Sequence, residues 1–456
     1  MKIILILLLV IVFAACGRVA ETIEAVDDSA AATVHAPYAI VHDVPHDENV
    51  IEAKWGYFPS IHINGVNRQR IDRRVWLRDI TISVVSDVEA YNFADAPARI
   101  RGRGNSTWGL EKQPYRIRFE RARSMLDAGH SARDWTLIAN HSDKTLMRHY
   151  SAYYFSALLG TMDFSPYARF VHLYIDGVYQ GVYQLSDQVE AGQGRAELTY
   201  HEDPSQSEFL IELNMRAAYN NAVEGVDFIR VNGLFYEFRF PRRDQLTPAH
   251  IAYAREHLSR IDTMIMDMDY DVLGYIHLPS FVDYYIIREL YKCQDVGRFS
   301  VFMQIRGQGE QRRLEMGPVW DFDISAGNAY YQGHRYHSRY AFTHGYGYGP
   351  QGVWTAFENR WFRMLMRNTE FSDAVVTRWA AVRENQFPAL IDHINFMAIH
   401  YQAEFERNFD RWPILGRYVW PNPREVVQID TFLGQVDYLT NFLIVRAQWL
   451  EENFWN

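Results

Sequence analysis

The stretch MGPVWDFDISAGN, residues 316–328, concentrates more chemistry than any other in the chain. Gly317 and Pro318 supply a turn into Val319 and Trp320, two aspartates flank Phe322, and a small polar Ser-Ala-Gly-Asn turn follows. If residues 319–324 are extended, successive side chains alternate faces, which predicts that Asp321 and Asp323 project together while Phe322 is buried. Two carboxylates on one edge make a hard-cation site. Oxygen ligands suit Mg²⁺ or Mn²⁺, ions that usually share their shell with substrate phosphates. The plainer reading is a solvated turn whose aspartates accept backbone N–H groups.

Upstream, residues 98–119 read ARIRGRGNSTWGLEKQPYRIRF. Gly102, Gly104 and Gly109 would let the backbone approach a ligand, with Asn105, Ser106 and Thr107 adding short polar groups. Lys112, Arg116 and Arg118 bring positive charge as the chain enters a strand in which Tyr115, Ile117 and Phe119 alternate with the arginines. Backbone amides with basic side chains are what a polyphosphate needs. A glycine-rich hairpin with a solvated basic face is the alternative.

Short strands are expected at 60–63 and 76–85, with Asn64-Gly65 as a turn, and a buried strand at 135–140. Asp143 reads as the N-cap of a helix from Lys144 to about Leu159, closed by Gly160. The Asp176-Gly177 turn joins strands at 170–174 and 181–185 into a hairpin. Strands follow at 208–214 and 234–240, and Glu212 stands out among the apolar Leu210, Ile211 and Leu213. Helices are expected from Thr247 or Pro248 to about Ile265 and from Pro279 through Lys292. Strands return at 300–305 and 314–316. The remainder reads as helices at 361–366, 373–387, 393–408 and 430–454, whose paired aromatics suit a core.

A chain of 456 residues, 48% hydrophobic and 15% aromatic, has ample material for a large core, and its formal charge of -10 argues against general nucleic-acid binding. Residues 1–16, MKIILILLLVIVFAAC, read as a signal peptide over 1–15, and Ala14-Ala15-Cys16 resembles a bacterial lipobox with Cys16 as the lipidated residue. With Cys16 lipidated, Cys293 is the remaining thiol and no intrachain disulfide forms. Residues 16–52 read as a flexible, lipid-anchored tether.

Several separated motifs, RGRGNSTW (101–108) with Lys112 and Pro114-Tyr115-Arg116, WTLIANHSDKTLMR (135–148), DGVYQGVYQL (176–185) and GPVWDFDISAGN (317–328), together resemble the spore coat protein H, or CotH-type, atypical protein kinases. The resemblance implies an α+β, two-lobed kinase-like fold that binds Mg²⁺ and ATP, with Mn²⁺ a second option, and phosphorylates serines of extracytoplasmic proteins. It implies a β-rich lobe over 53–245, a catalytic and metal-binding lobe over 246–345 and a helical extension over 346–456, on a protein held at the membrane by lipid. By motif, Arg101, Gly102, Arg103, Gly104, Asn105 and Ser106 fall in the phosphate-covering segment. Lys112 and Arg116 are implied phosphate contacts, Asp187 and Gln188 nucleotide contacts. Asp321 and Asp323 match the family's Trp-Asp-x-Asp as Mg²⁺ ligands, and Asp295 its Lys-Asn-x-Asp as base or shared ligand, with catalytic work divided between Asp295 and Asp321. Glu212 would fix whichever cation faces it.

Cys293 stands where the family has an asparagine, a better Mg²⁺ ligand, and Asp187 where it has glutamate. Both departures sustain an alternative, a catalytically weak pseudokinase serving as a surface protein- or glycan-binding module. A metal-dependent phosphodiesterase ranks last, for want of a His or carboxylate cluster at matching spacing.

Overall fold

Strands whose alternate residues are apolar have one face to hide, and in the first half of the chain they hide it by closing on themselves. In the computed structural model, which describes residues 57–219, 222–330 and 351–455, the strands are β1 (Ser60–Asn64), β2 (Leu77–Val85), β3 (Phe93–Gly102), β4 (Tyr115–Ser124), β5 (Ser131–Ile138), β6 (Ala168–Ile175) and β7 (Val178–Asp187). They form a closed barrel in the order β1-β2-β3-β4-β5-β7-β6. All neighbours are antiparallel except β1 and β6, whose parallel pairing completes the ring. Ile61, Ile82, Ile100, Ile117 and Leu137 fill its interior. Ile100 lies opposite Ile117 inside the barrel, so the residues on either side, Arg101 opposite Arg116 and Arg99 opposite Arg118, face outward.

The hairpin at Asp176-Gly177 is as the dipeptide predicts, with φ of 46° and 77° at the two turn residues. The Asp176 carboxylate also accepts N–H bonds from Gly65, Val66 and Asn67, which ties the turn after β1 to it. Between β5 and β6 runs helix α1 (Arg148–Leu159), closed by Gly160 at φ 71°. It begins four residues later than expected: Leu146 at φ 62° interrupts the helical path, and Asp143 accepts the N–H of Thr145 and of Arg148.

A second sheet has the order β12-β11-β8-β10-β9, built from β8 (Phe209–Leu213), β9 (Phe228–Val231), β10 (Leu234–Phe240), β11 (Val301–Arg306) and β12 (Arg313–Met316). Helix α2 (Pro248–Met266) packs on β9 and α3 (Leu278–Leu290) on β12. The helical part continues as α4 (Thr355–Glu358), α5 (Arg360–Leu365), α6 (Thr369–Val382), α7 (Gln386–His400), α8 (Gln402–Arg411), α9 (Arg424–Gln428) and α10 (Phe432–Asn453). Breaks at residues 383–385 and at Tyr401 divide what the pattern suggested as helices over 373–387 and 393–408. The α+β class holds, and the larger hydrophobic cluster reaches from Phe58 to Trp455. The signal peptide, Cys16 and the tether lie outside the described residues, as does the boundary near 345. Among the described residues no helix is long and apolar enough to cross a membrane.

Helix α3 is buried from Ser280 to Leu290, and its Glu289 is where the C-terminal helices are fastened. Its carboxylate accepts the N–H groups of Trp354, Thr355 and Ala356 at the start of α4, and an N–H of the fully buried Arg446 from α10. Glu289→Leu leaves these donors facing an apolar group, and an uncompensated buried charge costs about 3–5 kcal/mol. Urea denaturation should show a loss of that size.

Candidate active site

β12 ends at Met316, and the chain beyond it is not extended. Gly317 has φ 112° and Asp321 φ 69°, so a turn, rather than strand alternation, brings Asp321 and Asp323 to one cavity. Phe322 is fully buried behind them. From the first turn of α1 comes His149, and donor atoms of His149, Asp321 and Asp323 all lie within 4.8 Å of one another. His149 Nε2 is 3.8 Å from Asp321 Oδ1, and its Nδ1 is 3.0 Å from Asn140 Oδ1. With the proton on Nδ1 donated to Asn140, Nε2 is left to face the carboxylates. Ser300 Oγ donates to Asp321 Oδ2 at 3.0 Å, and Asp295 lines the same cavity from the segment after α3.

Burial pushes the pKa values of Asp295 and Asp323 upward, and the charge of Asp321 adds to both. Asp321 feels the same burial, but the neighbouring His149, the bond from Ser300 and the charge of Arg103 hold it well below the carboxylate range. Carboxylates crowded in one protein-walled space favour a bound cation. Asp321 remains 34% exposed, toward the cavity.

The cavity measures about 520 Å³, and its opposite wall is basic. Arg101 and Arg116 reach it from facing positions on β3 and β4, and Arg103 lies 5.3 Å over the Trp320 ring. Asn105 and Ser106 line it from the connection between those strands. Gly102 and Gly104 line the cavity and also make room for the loop's own side chains. A Cβ at Gly102 would sit 2.2 Å from the Trp108 ring, and one at Gly104, whose φ is 83°, 2.2 Å from Thr107 Oγ1. They admit the loop's own Trp108 and Thr107, which shapes the wall that Arg101 and Arg103 stand on.

Lys112 is only 1% exposed, and its ammonium is committed to Val182 O and, at 2.7 Å, to Asn408 Oδ1 of α8. Burial drives its pKa far down. It lines the cavity and at the same time fastens β7 to α8. Asp187 is also 1% exposed and does not line the cavity; it accepts from Tyr167 N at 2.9 Å and pairs with His130 Nε2 at 2.8 Å. Its neighbour Gln188 does line the cavity. Arg116 is braced by Asp134 at 2.7 Å and Glu190 at 3.3 Å. Glu212 lies in the cavity wall, and the cation it fixes is Arg239, whose Nε donates to it at 2.8 Å.

A family model described as CotH kinase protein matches residues 100–450, more than three quarters of the chain. The chain belongs to the CotH kinase protein family. No curated protein matches it. Membership makes it a kinase-type enzyme, and implies ATP, a divalent cation and a protein substrate. The cavity of this CotH kinase fits those reactants: clustered metal-ligating side chains on one side, guanidinium groups on the other.

The family's asparagine position is occupied here by Cys293, which does not line the cavity. Arg288 Nη1 donates to its Sγ at 2.7 Å, and the Sγ–H donates to the Asp321 carbonyl at 3.3 Å. Burial pushes the thiol up to about 11, so it stays protonated and acts on the backbone of Asp321, not on a metal. His149 was not singled out in the sequence, although it follows directly on the quoted 135–148 motif. Its signal was a polar Arg148-His149 pair opening an otherwise apolar helix.

Two measurements test these placements. His149→Ala should weaken Mn²⁺ binding more than Mg²⁺ binding in calorimetric titration, since an imidazole nitrogen suits Mn²⁺ better than Mg²⁺. Asp187 raises the pKa of His130, chiefly through their hydrogen bond. The folded state therefore holds that proton more tightly than the unfolded one, and the pair's contribution is full below about pH 6.5 and fades as pH rises through the raised value. Asp187→Asn should destabilise the fold mainly at acid pH in urea melts, with nucleotide affinity unchanged.

Proposed function

We propose that this chain is a Mg²⁺-dependent protein serine kinase that transfers the γ-phosphoryl group of ATP to proteins outside the cytoplasm, with Mn²⁺ able to replace Mg²⁺. The observation that carries this reading is the meeting, in one cavity, of Asp295, Asp321, Asp323 and His149 with the arginine-bearing segment between β3 and β4. When bound, the metal and nucleotide supply the transferable phosphoryl group and a charge that must be offset. Asp321, Asp323 and His149 would hold the metal. Arg101 and Arg103 would pair with phosphate oxygens, and Arg116, already braced by Asp134 and Glu190, keeps the wall positive beside them.

Asp295 is the better base. Asp321 and Asp323 cluster with His149 as metal ligands, whereas Asp295 lines the same cavity outside that cluster and is free to take the hydroxyl proton. On this reading the barrel, with the β3–β4 connection, is the nucleotide-covering lobe and the helical part the metal-bearing lobe. The leader pattern and Cys16 support a lipid-anchored, extracytoplasmic placement. The pseudokinase alternative rests on Cys293, whose sulfur bonds to the Asp321 carbonyl and which is not among the residues lining the cavity.

The test is transfer of label from γ-labelled ATP to a serine-containing acceptor, with Mg²⁺ and then Mn²⁺. Asp321→Ala should lower the rate roughly 10³-fold or more, and Asp295→Asn should lower kcat with little change in nucleotide affinity. Folded wild-type protein that transfers no label with either ion would refute the reading.

A further inference from the structure

The basic wall of the cavity does not stop at its mouth. Arg101 and Arg116 line the cavity, and two residues farther along the same outward faces of β3 and β4 stand Arg99 and Arg118, again directly opposite each other. Three of these guanidinium groups gather on one indole: Arg99 and Arg101 each lie 5.0 Å, and Arg118 5.2 Å, from the Trp76 ring. Arg78 on β2 and Arg133 on β5 extend the strip to either side, both exposed.

Like charges facing each other across a ladder destabilise it. Here the carboxylates that serve the strip are Asp134, already bonded to both Arg116 and Arg118, and Glu190, which is shared between Arg116 and Arg195. Among the described residues, Arg78 and Arg99 have no ion-pair partner. Burial and the charges of Arg116 and Arg118 lower the pKa of Arg101 to about 10, and its buried Nε has no hydrogen-bond partner. In a chain whose formal charge is -10, so concentrated an excess of positive charge lacks its anion.

We propose that this strip docks an acidic segment of the protein substrate and leads the adjoining hydroxyl into the cavity. The inference rests on the kinase reading for the fate of the docked chain, though not for the docking itself. Residues two apart on a strand are about 6.8 Å apart and neighbouring strands about 4.8 Å. An extended peptide with alternating carboxylates repeats at the first of these spacings, so its acidic side chains meet successive guanidinium groups along β3 or β4. Exposed Asp79, Asp95 and Glu120 on the same strands keep the positive area narrow. That suits one peptide, whereas a bilayer surface or the phosphate rows of a duplex need a broad basic face.

The test is fluorescence anisotropy of a labelled serine peptide flanked by glutamates, and of its glutamine counterpart, with the full chain and without nucleotide. The glutamate peptide should bind in a salt-dependent manner and the glutamine peptide should not. Arg99→Gln/Arg133→Gln should weaken binding at least about tenfold, and Arg78→Gln, altering only an exposed side chain, should weaken it less. ATP affinity should stay within about twofold of wild type. Relief of the Arg99–Arg118 repulsion should leave the melting temperature of Arg99→Gln equal or higher, which separates lost docking from lost fold. Equal binding by wild type and the double variant, equal binding of the two peptides, or tighter binding to phosphatidylserine vesicles or oligonucleotide than to the glutamate peptide would each overturn the proposal. Peptide binding without phosphoryl transfer would uphold the strip and refute the kinase reading; transfer without preference for the acidic peptide would do the reverse.

Discussion

The site depends on one buried guanidinium. Arg148, fully buried at the start of α1, donates to Asp143 Oδ1 at 2.6 Å, to the Ser325 carbonyl at 3.0 Å and to the Ala326 carbonyl at 3.1 Å. Asp143 in turn accepts the backbone N–H of Arg148 itself. A buried ion pair adds little net stability over an apolar pair of the same shape. Its value here is geometric. It joins segments 177 residues apart in sequence, so that His149, next to Arg148, arrives beside Asp321 and Asp323. Asn328 and Asn422 add a second tie, both donating to the Ser142 carbonyl.

A second arginine holds the other end of the turn. Arg288 of α3 lies 4.5 Å from the Phe322 ring and donates to the carbonyls of Ser300 at 3.1 Å and Trp320 at 2.8 Å. Between them the two arginines fix residues 320–326 largely through backbone carbonyls. The aspartate side chains of that segment form no salt bridge with either arginine, though Asp323 accepts the backbone N–H of Ile324 at 3.1 Å. Asp321 is touched by Ser300 and His149, both at the cavity, and most of its charge remains for a ligand. Preorganised negative charge without internal neutralisation is costly to a fold and useful to a phosphoryl-transfer site.

What could be read from the chain was what its neighbours in sequence determine. Period-two patterning located β4, strand runs were expected where β2 and β10 lie, the Asp176-Gly177 dipeptide located a hairpin, and Gly160 closed α1. What the pattern did not show lay in side-chain contacts, near and far along the chain. The start of α1 follows from Asp143 folding back on Thr145 and Arg148. Lys112 is engaged by a helix, α8, nearly three hundred residues later. Gly102 and Gly104 are set by Trp108 and Thr107 packing above them, a contact that a glycine pattern cannot reveal. Cys293 stands where the family's asparagine ligand is expected, and a linear motif does not record what its sulfur touches instead. In space it turns inward, toward Arg288.

Net charge concealed the distribution that matters. A chain with formal charge -10 places arginines on the outward face of β3 and β4 and carboxylates on the turn after β12, with the cavity between them. Such a cavity has a polarity of its own. A polyanion carrying a divalent cation fits with its cation toward Asp321 and Asp323 and its remaining negative charge toward Arg101 and Arg103; the reverse placement sets like charges against each other on both walls. Orientation therefore follows from the separation of charge between two sheets, and that separation requires each arginine to stand on a barrel strand that packs its apolar alternates inward. The same alternation that closes the barrel arms its outer face.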